Sequence, residues 1–321
     1  MKIIKHQFTE QDLKLFQEVL RDANLGFGEW VTHFENDFKS FSGSKHNIAT
    51  NSASAAAYMI FAFLKDRYGC CDVYTPSLAF TSPAWAAKHF GHNILWVDVN
   101  DNLLFDSKDY IKLRSFRKEK TRQVVLMPIL YGGVSNIPEW QTFGDEIVVV
   151  DSAHCVTPKL KGNFCFFSFH PYKPICSSDG GMISTDDEEA DLWFRHYRNF
   201  GRSNIEGTYD ITQDGFKFYM NNLNALLALI SSGKYYRNLS TRRKNYSKLE
   251  NVLEHDDDSS YYMATRIDPA ADAFNSKHNL ARHYPMLHKT KYFKSNLCLP
   301  NTELLQPQIV NLPLYENLCN S

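Results

Sequence analysis

Three apolar runs without alternation, Val124 to Leu130, Ile147 to Val150 and Phe164 to Phe169, restrict this chain more than any other feature. A half-exposed strand alternates apolar and polar residues, whereas an unbroken run belongs in a sheet covered on both faces. Strand-like and helix-like segments alternate around these runs. Lys45 to Thr50, Val73 to Thr75 and Ile94 to Val99 read as strands, while Ser52 to Arg67 and Pro83 to Phe90 read as helices. That succession predicts a three-layer α/β domain with a mostly parallel central sheet. After Asn221 a helical pattern runs through Leu223, Leu226, Leu227, Leu229 and Ile230, then turns basic at Arg237, Arg242, Arg243 and Lys244. It predicts one long helix joining a large domain, residues 1–235, to a small C-terminal α+β domain, residues 236–321. Asp256-Asp257-Asp258-Ser259-Ser260 reads as a solvated polar loop rather than a metal site.

Two of the apolar runs end in chemistry. The first delivers Asp151, followed by Ser152, Ala153 and His154; the second delivers Ser168 and, five positions on, Lys173. A carboxylate, a hydroxyl and an amine from adjacent strand ends suit pyridoxal 5'-phosphate (PLP). Lysine forms a Schiff base with the aldehyde, the carboxylate keeps the pyridine nitrogen protonated, and the hydroxyl helps hold the phosphate. Taken singly, a lysine near a proline is a solvated loop residue. Asn51 to Ala56 joins a strand to a helix through small side chains, which lets a phosphate approach the free amides of the first turn, with the Ser54 hydroxyl nearby. The same segment also reads as an ordinary serine N-cap. In the loop Pro76 to Ser82, Phe80 suits either stacking on a pyridine ring or plain core packing.

Composition excludes several classes. The 321 residues can bury a substantial core. Net charge is -1 and charged residues make up 22%, so nothing marks nucleic acid or an anionic membrane as a partner. No apolar run approaches the roughly 18 residues of a membrane span. Met1 to His6 leads straight into a polar, helix-like segment that lacks a signal peptide's apolar stretch. Seven cysteines without metal-type pairs read as reduced thiols, and a cytoplasmic location follows from these features.

The ordered motifs resemble the DegT/StrS family of PLP-dependent sugar aminotransferases, over nearly the whole chain. Val31 to Glu35 and Ser44 to His46 are similar to the family's opening; Asn51 to Ala56 resembles NSGTAA and Pro76 to Phe80 resembles PSFTF. Trp96 to Val99, Leu130 to Gly132, Asp151 to His154 and Phe167 to Lys173 resemble FVDV, LYG, DAAQ/H and FSFHPTK. Asp179 to Gly181, Arg198 to Gly201, Gly215 to Met220, His283-Tyr284 and Leu312 to Tyr315 complete the order.

The resemblance implies the aspartate aminotransferase fold (type I) and transfer of an amino group from glutamate to a nucleotide-linked keto sugar, feeding polysaccharide biosynthesis. It implies that Lys173 carries PLP and moves the substrate proton, that Asp151 pairs with the pyridine nitrogen, and that His154 lies near the cofactor's phenolic oxygen. Phe80 would stack on the ring. Ala53, Ser54 and Ser168 would hold the phosphate, with Lys217 reaching it from the partner in a homodimer. A sugar dehydratase, which replaces the lysine, and a non-catalytic relative, which loses Asp151 or Lys173, are disfavoured because both residues are present. The chain departs from the family where it is shortened between Gly162 and Phe166. It also carries Tyr219 for an arginine or asparagine, has Ile129 for a histidine, and is compact after Tyr246. These changes bear on how the sugar is held.

Overall fold

The computed structural model describes residues 8–115, 121–133, 144–205 and 208–314; Met1 to His6 and Tyr315 lie outside them. Helices α1 (Glu10–Arg21), α2 (Glu29–Asp37) and α3 (Lys39–Ser42) precede β1 (His46–Thr50) and α4 (Ala53–Tyr68). Next come β2 (Asp72–Pro76), α5 (Thr81–His89), β3 (Asn93–Val97), α6 (Ser107–Ser115) and β4 (Gln123–Pro128). The strands β5 (Ile147–Asp151), β6 (Phe164–Ser168) and β7 (Gly181–Thr185) lead to α7 (Glu188–Tyr197). A hairpin, β8 (Arg202–Ile205) and β9 (Thr208–Ile211), is followed by α8 (Asn222–Ser232) and α9 (Tyr235–Tyr246). The chain continues through β10 (Met263–Ile267), α10 (Ala271–His278), α11 (Pro300–Leu305) and β11 (Ile309–Pro313).

Seven strands form the central sheet in the order β1-β7-β6-β5-β4-β2-β3. Pairing is parallel from β6 through to β3, and β7 alone runs against its two neighbours. The apolar runs have the expected cause. Along β4, Val125 and Met127 enter the core on one face of the sheet, and Val124 and Leu126 enter a second core on the other. Helix α4 packs on this second face through a nearly continuous buried surface, from Ala55 to Leu64. With both faces covered, the parallel strands aim their C-terminal ends at one edge, where ligands of open α/β sheets bind.

Beneath that edge lies a charged knot that ties three elements together. Glu35 on α2 accepts from Arg198 Nη1 at 2.5 Å and from the Ala49 amide of β1 at 2.9 Å, and its second oxygen accepts from Arg195 Nη1 at 2.8 Å. Burial raises the Glu35 pKa, but the Arg198 and Arg195 charges outweigh it and hold the carboxyl below its usual range. The two motifs at Val31–Glu35 and Arg198–Gly201 therefore share a structural role.

Two expectations are corrected. The helical stretch after Asn221 is two helices rather than one, interrupted at Gly233 and Lys234. Ser231, Ser232 and Gly233 are weak helix formers. Ser232 Oγ bonds back to the Leu229 carbonyl and to Asp37, and Ser231 Oγ accepts the Cys176 amide, so these hydroxyls serve tertiary contacts. The loop at Asp256–Ser260 is not wholly solvated: Ser259 and Ser260 are fully buried. Ser260 Oγ takes the Val156 amide at 2.7 Å and meets the Tyr235 hydroxyl at 2.7 Å, which satisfies the buried group.

Candidate active site

Strand geometry brings the predicted residues together. Asp151 ends β5 and Ser168 ends β6, and the loop after β6 returns Lys173 over the same edge of the sheet. Helix α4 points its N-terminus at this edge, with Ser52 as cap accepting the Ala55 amide at 3.1 Å. The amides of Ala53 and Ser54 then have no intrahelical carbonyl and face outward. Ala53, Ser54, Phe80, Asp151, His154, Ser168 and Lys173 all line one cavity of about 330 Å³. Lys217 does not. It is exposed, bridged to Asn199, and its carbonyl accepts from Asn51 Nδ2 beside the start of α4.

Burial sets the electrostatics. Lys173 is only 9% exposed, and burial pushes its amine down to about 7 against the opposing charge of Asp151. Asp151 is likewise buried and is raised to about 6 by that burial, with the Ala153 amide and the Lys173 charge pulling the other way. An amine with such a pKa is neutral in a large fraction of molecules near neutrality, as a group that accepts and returns protons must be. His154 is held well below its ordinary value, first by burial and then by the Lys173 and His283 charges, and so is a neutral imidazole. Its Nδ1 accepts the Tyr131 amide at 3.1 Å and its Nε2 lies 2.8 Å from the Tyr284 hydroxyl.

Several site residues escape sequence reasoning. Tyr262, His283 and Tyr284 come from beyond α9 and wall the cavity opposite the sheet. Tyr262 packs on the His154 ring with centroids 4.3 Å apart, and Lys173 Nζ lies 4.8 Å from its ring centre. Phe80 meets Tyr284 edge to face at 5.6 Å. The His283-Tyr284 motif marks the position of two of these residues but carries no sign of which cavity they enter.

The donor set fits PLP. At Gly181, which pairs with Ser168, a Cβ would stand 2.4 to 2.5 Å from the Ser52–Ala53 backbone. The start of β7 is thus pressed on the first turn of α4, with no room there for a side chain. Among the described residues, His283 Nδ1 is buried without a hydrogen-bond partner, and His283 is one of the residues that line the same cavity.

Comparison with known proteins agrees. Residues 6–278 match the model of the DegT/DnrJ/EryC1/StrS aminotransferase family. The chain is 24% identical to a UDP-4-amino-4-deoxy-L-arabinose--oxoglutarate aminotransferase from Shewanella sediminis, over 99% of this chain and 94% of that protein. It is 31% identical to the spore coat polysaccharide biosynthesis protein SpsC of Bacillus subtilis, over 68% of this chain and 60% of that one. Among solved structures it superposes on Helicobacter pylori PseC, an aminotransferase of pseudoaminic acid biosynthesis, with TM-score 0.87 at 18% identity, covering 98% and 94% of the two chains. The PLP form of Spr1654, a sugar aminotransferase homologue from Streptococcus pneumoniae, gives TM-score 0.87 at 22% identity, covering 100% and 95%. The type I fold expected from the resemblance is therefore present, and among the described residues no helix is long and apolar enough to cross a membrane. The chain belongs to the DegT/DnrJ/EryC1/StrS aminotransferase family, whose members use PLP as cofactor.

Proposed function

We propose that this aminotransferase moves an amino group from glutamate to a keto sugar carried on a nucleotide, in the biosynthesis of an amino-sugar polysaccharide. The observation that carries the reading is the buried pair of Lys173 and Asp151 in one cavity, the amine near 7 and the carboxyl near 6. The relatives' printed names support the acceptor class, and the oxoglutarate in one of them supports glutamate as donor.

When bound, PLP supplies an electron sink for the carbon that loses or gains the amino group. Lys173 would carry the cofactor and move the proton at that carbon through Nζ, whose lowered pKa suits a group that accepts and releases a proton near neutrality. Asp151 would hold the pyridine nitrogen and keep it protonated, its carboxylate form being favoured by that cation. The Ala53 and Ser54 amides, with the Ser54 and Ser168 hydroxyls, would hold the phosphate at the dipole-positive end of α4. Phe80, 48% exposed at the mouth of the cavity, would support the ring face, with Tyr262 and Tyr284 lining the cavity around Lys173.

The same reading makes the enzyme a cytoplasmic homodimer in which Lys217 reaches the partner's phosphate. Its exposure beside α4, outside its own cavity, supports that assignment. It also divides the chain into a large domain to residue 235 and a small domain from 236, with the β10–β11 pair at the small domain's centre. The test is to incubate purified protein with glutamate and a panel of nucleotide-linked keto sugars while following the cofactor's absorbance and the amino sugar by mass. Amination of a nucleotide-linked sugar is expected, and turnover of small free ketones alone would overturn the acceptor class. Borohydride reduction should fix the cofactor mass on the peptide containing Lys173, and label on another lysine would sink that assignment.

A further inference from the structure

Ser77 and Asp98 belong to the motifs Pro76–Phe80 and Trp96–Val99, yet neither lines the cavity. Both belong to a buried polar cluster beside it. Ser77 Oγ lies 2.5 Å from His288 Nδ1, and His288 Nε2 lies 3.1 Å from Glu303 Oε1. Glu303 is held down at about 2, first by Lys289, then by the Leu299 amide and His288, so its carboxylate can only accept. His288 Nε2 therefore carries a hydrogen, and the ring is gripped at both nitrogens. Serine, histidine and carboxylate in this order also make a hydrolytic triad. Here Ser77 and His288 are wholly buried, and Ser77 Oγ already accepts the His288 amide at 3.1 Å, so no substrate reaches the hydroxyl. The cluster holds something in place instead.

What it holds is a pair of cavity residues. Ser77 follows β2, and Phe80 stands just beyond it; His288 comes shortly after Tyr284, and both aromatic residues line the cavity. The two segments are laced together. The Leu287 amide donates to the Ser77 carbonyl at 2.9 Å, Leu78 bridges to Met286, and the Phe80 and Tyr284 rings meet at 5.6 Å. Glu303 is fixed in turn, because it lies on α11 and Asp98 caps that helix. The Thr302 amide and hydroxyl donate to Asp98 Oδ1 at 2.7 Å each, and the Asn301 amide donates to Oδ2 at 2.9 Å. Past α11, Gln306 Nε2 donates to the Tyr284 carbonyl at 2.9 Å. A closed frame thus runs from the end of β3 through α11 and His288 to the end of β2, and the two aromatic side chains hang on it.

We propose that His288, held between Ser77 and Glu303, is a positioning residue that sets the gap between Phe80 and Tyr284, and with it the seating of the reacting groups in the cavity. This rests on the reading of the cavity given above. A ring bonded at both nitrogens has one orientation, and a buried network satisfied at every member is rigid. Loss of either bond lets the Ser77 loop and the Tyr284 segment move apart, and small misplacements near reacting groups are costly in rate.

The measured quantity is the rate per cofactor-loaded site. Damage to the fold lowers the number of loaded sites but leaves each surviving site unimpaired. Glu303 is partly exposed, with 30% of its side chain accessible, so its replacement leaves the core intact. With loaded sites counted by borohydride fixation, Glu303→Ala should slow the half-reaction with glutamate about tenfold per site, and Ser77→Ala should do the same. Glu303→Gln keeps an acceptor for His288 Nε2 and should stay within about twofold of wild type. If the frame acts through Phe80, adding Glu303→Ala to Phe80→Leu should cost little beyond Phe80→Leu alone. In cofactor-free protein, the Leu287 and His288 amides, both bonded to Ser77, should exchange with deuterium at least about tenfold faster in Glu303→Ala.

Unchanged rates per loaded site in Glu303→Ala and Ser77→Ala overturn the proposal alone, whatever happens to stability. So does a Glu303→Gln as slow as Glu303→Ala, which would make charge rather than the hydrogen bond the cause, and so does full additivity with Phe80→Leu. Amide exchange unchanged in Glu303→Ala would likewise show that the frame does not hold this segment. If the protein shows no visible cofactor band at all, the reading of the cavity fails and this proposal with it.

Discussion

Replacing Lys173 by Met in the cofactor-free protein isolates what the buried amine costs the fold. Methionine keeps the unbranched length and removes the charge. In the folded chain the amine sits at about 7, against 10.5 for an exposed lysine. Between those two values the unfolded chain keeps the proton that the folded chain has released. The unfolded state then binds more protons, so stability rises with pH across that window. The slope approaches ~1.4 kcal/mol per unit, so moving from about pH 7 to about pH 9 adds ~2 kcal/mol after allowing for half-protonation at the lower end. Asp151 works in the opposite sense and elsewhere: its carboxyl is raised from 3.8 to about 6, so the stability it lends is present in acid and is gone by about pH 6. Urea unfolding at fixed protein concentration, which holds any subunit assembly constant, measures the difference. Wild type should gain ~2 kcal/mol relative to Lys173→Met between the two pH values. A wild-type-minus-variant difference that is the same at both would refute a buried, largely neutral amine.

Asp151→Asn should keep the cofactor yet slow the half-reaction with glutamate by orders of magnitude; a loss below about tenfold, or ~1.4 kcal/mol in barrier, would put the carboxylate's work elsewhere. Mixing inactive Lys173→Ala with weakly binding Lys217→Ala should restore activity after subunit exchange, because one site in each mixed dimer regains both lysines. An active monomer on sizing, or no recovery, would refute the shared site. Glu35→Gln should destabilise the fold by about 3–5 kcal/mol by leaving the Arg198 charge buried without its carboxylate; a change under ~1 kcal/mol in urea unfolding would show that the knot is dispensable.

Much of the large domain is legible from local pattern. Val124–Leu130 and Ile147–Val150 are apolar because both faces of the sheet are covered, and periodicity records that directly. The residues at the strand ends follow, since Asp151 stops one apolar run and Ser168 is the polar position near the end of the other. The opposite wall is not legible in this way. Tyr262 and Tyr284 enter the cavity through loops, and the bond from Tyr284 to His154 spans 130 positions with no periodic signal. The break between α8 and α9 was hidden for another reason. A leucine-rich helix and a basic one share the same period, and only the short Ser231-Ser232-Gly233 stretch, engaged in tertiary bonds, separates them. Charge density misreads Asp256–Ser260 as well, because the two serines belong to the core while the aspartates next to them do not.

The reversed direction of β7 has a mechanical consequence. Because it runs against β6, the segment from Phe169 to Gly180 that carries Lys173 is a closed excursion whose two ends are stitched at Ser168 and Gly181. The Phe169 amide bonds the Gly180 carbonyl at 2.9 Å, the Ser177 amide returns to the Phe169 carbonyl at 2.7 Å, and the Lys173 amide closes on His170 at 2.8 Å. So short a loop with a zipped base has little slack, and lengthening it would add closure entropy without adding contacts. The lysine swings through its own side-chain torsions on a tether whose base is hydrogen-bonded at both ends. Its reach towards substrate is thus set largely by four methylenes, and exchange of the Lys173 amide with solvent deuterium should require only its turn to His170 to open, whereas the Phe169 amide, bonded to Gly180 at the base, should exchange more slowly.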